Sequence, residues 1–191
     1  NDIALADINS ERVETLACEI SAVPSDTQTI AKECKFIFIG VKPQMMQAML
    51  TDLKPHLNGK AVLITMAAGL SMAAIREWAG DFPVIRIMPN TPVTLGKGMI
   101  GYTPNDLVDA VTLSDFLSDM AYAGMWEQVE ENLMDTVAAL SGSGPAYTFY
   151  FAEALCSGAV ACGMDSGAAL RFTIQTLEGA AALLKQGDKT P

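Results

Sequence analysis

Apolar and polar positions alternate in blocks along the first two thirds of the chain. Residues 3–7 form a short apolar run that ends in an acid, Asp7, and predict a buried strand. Asn9 or Ser10 then offers a side-chain oxygen to cap a helix over about residues 11–20. A second helical stretch, residues 27–33, leads into Lys35-Phe36-Ile37-Phe38-Ile39-Gly40-Val41. That continuous apolar run suits a strand buried on both faces of a parallel sheet. The spacing then predicts a helix over 44–53, a strand over 61–66, a helix over 71–78 and a strand over 83–87. Strands alternating with helices at these intervals predict βαβ units, right-handed crossovers and a doubly wound α/β sheet.

Beyond residue 109 the pattern changes. Residues 111–123 read as helix, 124–129 as one last strand, and everything after Asn132 as helix. A sheet domain over residues 1–130 followed by an all-helical domain over 131–191 is the organisation this predicts. Residues 146–164 are interrupted by only one charge, Glu153, and approach the length of a membrane span. Gly158, Gly163 and the absence of a basic flank favour instead a helix buried on all sides, in a core or an oligomer interface.

Composition narrows the function. With 191 residues, half of them hydrophobic and 18% charged, the chain can bury a real core and is not intrinsically disordered. A net charge of −10 argues against a general binder of nucleic acid or anionic membrane. Cys18, Cys34, Cys156 and Cys162 lack metal-ligand spacing, so reduced thiols packed as small hydrophobes, in a cytoplasmic protein without a secretory leader, are the expectation. His56, in a proline-containing loop, is expected to be exposed.

Two glycine arguments concern a dinucleotide. Gly96-Lys97-Gly98-Met99-Ile100-Gly101 spells G-x-G-x-x-G, yet Pro92 precedes it and Pro104 follows, so no strand-turn-helix surrounds it and it is expected to be a turn. Asp7 is the better signal. An acid ending the second strand of a Rossmann-like fold binds the adenosine ribose, which puts the first strand, glycine loop and helix upstream of residue 1.

Motifs in the middle of the chain carry chemistry that position alone suggests. Val41-Lys42-Pro43-Gln44 ends a buried strand, where open α/β sheets bind ligands, and Lys42 can reach a ribose or phosphate. Ala67-Ala68-Gly69 is small enough for a cofactor to lie against backbone, or simply makes a tight strand-to-helix turn. In Met88-Pro89-Asn90-Thr91-Pro92, Asn90 either offers its amide to a nicotinamide or substrate, or closes an Asx turn. Ser141-Gly142-Ser143-Gly144-Pro145 reads as a helix start with free amides, suited to a carboxylate or to plain capping; Ser141 is expected to cap, and Ser143 is open between the two roles.

These segments, in this order and spacing, resemble the pyrroline-5-carboxylate reductase family, with Gly163-Met164 and Gln175-Thr176-Leu177-Glu178-Gly179 extending the likeness. The resemblance implies reduction of 1-pyrroline-5-carboxylate to proline with NADPH, or alternatively NADH. It implies cofactor contacts at Asp7, Asn9, Thr27, Gly40, Val41, Lys42, Pro43, Ala67, Ala68, Gly69 and Asn90, catalytic positions at Asn90 and Ser143, and no metal. Asp7 favours the free ribose hydroxyl of NADH, whereas Asn9, Ser10 and Arg12 can form a pocket for the extra phosphate of NADPH. It further implies a homodimer, or an assembly of dimers, built on the helical domain, and a glycine-rich substrate loop beyond Pro191.

The chemistry agrees with an imine. Residues 146–184 contain no lysine or histidine, so the helical domain lacks the acid–base group that related hydroxy-acid dehydrogenases use. A protonated imine already carries its proton and charge, and orientation with electrostatics suffices for it to accept hydride. A non-catalytic oligomerising remnant of the fold, and another imine or ketone reductase of the same superfamily, are the alternatives.

Overall fold

The computed structural model describes residues 3–187; the C-terminal Lys189-Thr190-Pro191 lies outside them. The chain divides into two compact units, Asn1–Gly142 and Ser143–Pro191. Residues 131–142, which the sequence assigned to the helical domain, belong to the first unit. Met134 is fully buried there, and Val137 lies so close to Gly101 that a Cβ on that glycine would meet it at 2.8 Å.

A five-stranded sheet forms the centre of the first unit: β3 (Phe36–Ile39), β4 (Val62–Thr65), β5 (Val84–Met88), β6 (Gly98–Pro104) and β7 (Gly124–Gln128), in that order. β3, β4 and β5 run parallel, joined through α3 (Met46–Leu53) and α4 (Met72–Ala79). β6 lies antiparallel to β5 and parallel to β7. A separate two-stranded parallel pair joins β1 (Ala4–Leu5) to β2 (Val23–Pro24) across α1 (Ser10–Ile20), and α2 (Thr27–Glu33) follows.

Alternation along the central strands explains the two layers. Ile37, Ile39, Leu63 and Val84 face a layer made by Ala31 of α2, Met46, Leu50 and Leu53 of α3, and Ile75 and Ala79 of α4. Val62, Ile64, Ile85 and Ile87 face the other way, onto Phe116 of α5 (Ala110–Asp119). The Phe116 ring meets those of Phe36 and Trp126 edge-on, with centroids 5.4 and 5.5 Å away.

Two strands were not foreseen. β2 is two residues long and ends in Pro24, which has no N–H for a ladder. β6 occupies most of the expected glycine turn: only Gly96 turns, closing a 3₁₀ segment with φ +66°, while Gly98-Met99-Ile100-Gly101 is strand. Glycine is needed there because the backbones of Gly98 and Gly124, opposite each other in β6 and β7, approach within reach of any Cβ.

The second unit is a helix pair, α7 (Gly144–Ala161) and α8 (Ser166–Lys185). Between them Gly163 adopts φ +95°, and Asp165 caps α8 by accepting from the Ala168 amide at 2.9 Å. α7 was expected to be buried in a core or an oligomer interface; within this chain none of its residues is buried. Its aromatic side chains Tyr147, Phe149, Tyr150 and Phe151 remain 54–76% exposed, since α8 covers only part of the helix surface. Among the described residues, no helix is long and apolar enough to cross a membrane.

Candidate active site

The expected loops leave one edge of the sheet. In register, Ile39 of β3 sits opposite Thr65 of β4, and Thr65 opposite Arg86 of β5. The segments that follow, Gly40-Val41-Lys42-Pro43, Ala67-Ala68-Gly69 and Pro89-Asn90, therefore emerge side by side at the carboxyl ends of adjacent parallel strands. Gly40, Lys42, Pro43, Ala68 and Gly69 are exposed, Val41 is half-buried and Ala67 is buried. Lys42 precedes a 3₁₀ turn over Pro43–Met45 and makes no ion pair among the described residues. Gly69 holds φ +72°, and a Cβ there would meet open space, so the turn needs glycine for its backbone angle rather than for packing. The Thr65 hydroxyl shapes its entry by accepting from the Ala67 amide at 3.3 Å.

Asn90 has a structural task that the sequence did not reveal. Its Oδ1 accepts from the Met99 amide at 3.0 Å, and its Nδ2 donates to the Ser141 carbonyl at 3.1 Å. The second bond follows from the primary structure. A helical carbonyl at position 141 would accept from residue 145, but that residue is Pro145 and has no N–H. Asn90 supplies the missing donor. The backbone around that carbonyl is a π-helical stretch, Ala138–Gly142, following the short α6 (Met134–Val137). Ser141, expected to cap, instead donates from its hydroxyl to the Val137 carbonyl at 3.2 Å.

Ser143 begins the second unit, at the N-cap position of α7, and makes no side-chain capping bond; Pro145 lies in the first turn. At the chain's start, Asp7 Oδ1 accepts from the Asn9 amide at 3.0 Å, and Asn9 Oδ1 caps α1 by accepting from Arg12 N at 3.1 Å. Both lie exposed, as do Ser10 and Arg12, while Thr27 is the half-buried first residue of α2.

Arg86 escaped the sequence reading. It sits in the middle of β5, a strand buried throughout, with its side chain 5% exposed. Nη1 lies 3.4 Å from Glu131 Oε1 and Nη2 lies 3.6 Å from Asp135 Oδ1, whereas Nε has no hydrogen-bond partner. The signal was present: a lone arginine within an apolar strand demands a carboxylate, and the acidic run from Glu127 to Asp135 offers several. Gly69, Leu70, Ser71, Arg86, Glu130, Glu131, Asn132 and Asp135 line a polar cleft of about 540 Å³.

Other side chains stand apart from this chemistry. His56, expected to be exposed, is half-buried beside Pro55 and Gln44 in a shallow groove, because its 3₁₀ turn packs back toward α3. Burial, with Glu33 adding to it, pushes the Cys34 thiol up from its usual range, which suits an inert packing residue. Among the described residues no cluster of His, Cys, Asp or Glu is placed to hold a metal ion.

Comparison with known proteins accords with this arrangement. Residues 1–69 match the family described as NADP oxidoreductase coenzyme F420-dependent, and residues 131–191 match the one described as pyrroline-5-carboxylate reductase dimerisation. The chain is similar to the pyrroline-5-carboxylate reductase of Corynebacterium melassecola, with 36% identity over 87% of this chain and 63% of that protein. It is also similar to pyrroline-5-carboxylate reductase 3 of Xenopus laevis, with 32% identity over 98% of this chain and 68% of the relative. The crystal structure of the Plasmodium falciparum pyrroline carboxylate reductase with NADP bound superposes with a TM-score of 0.83 at 28% identity, over 88% of this chain and 65% of that one. The chain thus spans less than two thirds of the length of the Corynebacterium relative. On the strength of these likenesses along nearly its whole length, the chain belongs to the pyrroline-5-carboxylate reductase family.

Proposed function

We propose that this protein reduces 1-pyrroline-5-carboxylate to proline with NADPH, in the cytoplasm and as a homodimer or an assembly of dimers. The observation that carries the reading is the row of three loops at the carboxyl ends of β3, β4 and β5, with Gly40, Lys42, Pro43, Ala68 and Gly69 exposed. The open space at Gly40 and Gly69 fits a dinucleotide lying against backbone. Gly40, Val41, Lys42, Pro43, Ala67, Ala68 and Gly69 would hold it, with Asp7, Asn9 and Thr27 toward its adenosine end. When bound, NADPH supplies the hydride.

The chain's own part is orientation and exclusion of competing chemistry. Lys42, exposed and without an ion pair among the described residues, supplies a cation for phosphate. Asn90 keeps the Pro89–Pro92 loop rigid through its two bonds, and its remaining Nδ2 hydrogen is available to a ligand. The uncommitted Ser143 hydroxyl, beside the first amides of α7, suits the substrate carboxylate. No general acid is required, since the protonated imine brings its own proton. The uncovered aromatic surface of α7, within the stretch matching the dimerisation family, supports self-association.

A substrate panel with full-length protein tests this. Oxidation of NADPH by pyrroline-5-carboxylate, with 2-oxo acids inert, supports an imine reductase; faster turnover of a 2-oxo acid would reject it. Comparing affinities for the two dinucleotides tests the preference, and tighter NADH binding would reverse it.

A further inference from the structure

We propose that Arg86, buried, and Glu131, half-buried, form a positioning pair that sets the Gly69–Met72 turn for the dinucleotide, an inference that rests on the function proposed above and assigns it two further residues. Thr65, Arg86 and Thr103 lie opposite one another across β4, β5 and β6, a polar rung among the mainly apolar residues of these three strands. One end of the rung reaches the cofactor turn, through the Thr65 hydroxyl and the Ala67 amide. The other end reaches the acidic segment, where Thr103 Oγ1 donates to the Val129 carbonyl at 2.5 Å.

Glu131 joins the two ends. Its Oε1 accepts from the Met72 amide at 2.6 Å and faces Arg86 Nη1 at 3.4 Å. Met72 opens α4, so its N–H has no acceptor within the helix, and Glu131 satisfies it from 59 residues away. Ser71 satisfies another of these donors by accepting from Ala74. Glu131 is 37% exposed and would turn to solvent if nothing held it. What holds it is the guanidinium, fixed in the middle of β5 and almost wholly desolvated. Arg86 thus acts through Glu131 on the Met72 amide, and so on the Ala68–Gly69 backbone three to four residues earlier. Neither residue needs to touch the cofactor.

The test uses full-length protein with Arg86→Met, Arg86→Lys and Glu131→Gln, and Lys35→Met as a control that removes an exposed cation paired with Asp115 and lying over the Phe36 ring, away from the Gly69–Met72 turn. Amide hydrogen exchange without ligand, NADPH titration and steady-state kinetics are read at a temperature where thermal melts show each variant folded. Arg86→Met should speed exchange at Met72 and raise the NADPH dissociation constant about tenfold, equivalent to about 1.4 kcal/mol, while kcat at saturating NADPH changes little. Arg86→Lys, which keeps the charge, should restore part of both and carries the test if Arg86→Met does not fold. Glu131→Gln should shift both in the same direction, and Lys35→Met neither. Unchanged exchange and affinity in folded variants, whatever their melting temperatures, would overturn the assignment alone. A wild type that binds no NADPH would overturn the proposed function and this assignment with it.

Discussion

Asn90 shows how one side chain can serve packing and chemistry together. Both its amide oxygen and one amide hydrogen are committed, the first to the start of β6 and the second to the carbonyl that Pro145 leaves without a donor. Asn90→Ala would leave a part-buried carbonyl and amide unpaired, and should lower stability by about 1–2 kcal/mol in urea unfolding. Asn90→Asp keeps the acceptor but sets a carboxylate against the Ser141 carbonyl, so it should not rescue. The sequence marked Asn90 because prolines flank it, but its partners lie 9 and 51 residues away and no local pattern encodes them. Arg86 was missed for a related reason: periodicity averages over a strand, and a single charge among apolar residues reads as noise until its carboxylate is found.

Most elements were legible because they follow local rules. Asn9, Asp26, Ser71, Asp109 and Asp165 cap helices as side-chain acceptors, and the apolar runs of β4 and β5 became the sheet's interior. By contrast β3, expected to be buried on both faces, lies at the sheet's edge with Phe38 exposed. β6 was not legible, since its glycines serve a close crossing with β7 that only the tertiary structure creates. Gly98→Ala should therefore cost about 1–3 kcal/mol by thermal unfolding, through overlap with Val93 and the Ala123 carbonyl. The caps carry a pH dependence. Hydrogen bonds from the Thr29 amide and hydroxyl hold the Asp26 carboxyl below its usual value, and Thr112 does the same for Asp109. A depressed carboxylate stabilises the folded state fully above the unfolded value near 3.8 and loses that contribution as pH falls through its lower folded value. Amide exchange at the starts of α2 and α5 should thus rise only under acid below that range, and Asp26→Asn should remove the dependence at α2; fraying of wild-type α2 at neutral pH would contradict it.

At the scale of the molecule, the first unit closes on itself and the second does not. β4 and β5 are covered on both faces, while α7 leaves a row of aromatic side chains in water. The near absence of charge over residues 146–164, with Glu153 alone, was legible in the sequence, but what covers such a helix is not a local property. Tyr150→Glu should weaken self-association without unfolding the sheet unit, seen as a lower mass by light scattering at micromolar concentration; an unchanged mass would remove α7 from the interface. The central claim is the reaction itself, and proline formation measures it most directly. Full-length protein given pyrroline-5-carboxylate and NADPH should yield one proline for each NADPH oxidised. NADPH binding with no proline formed, or NADPH consumed without matching proline, would contradict the account.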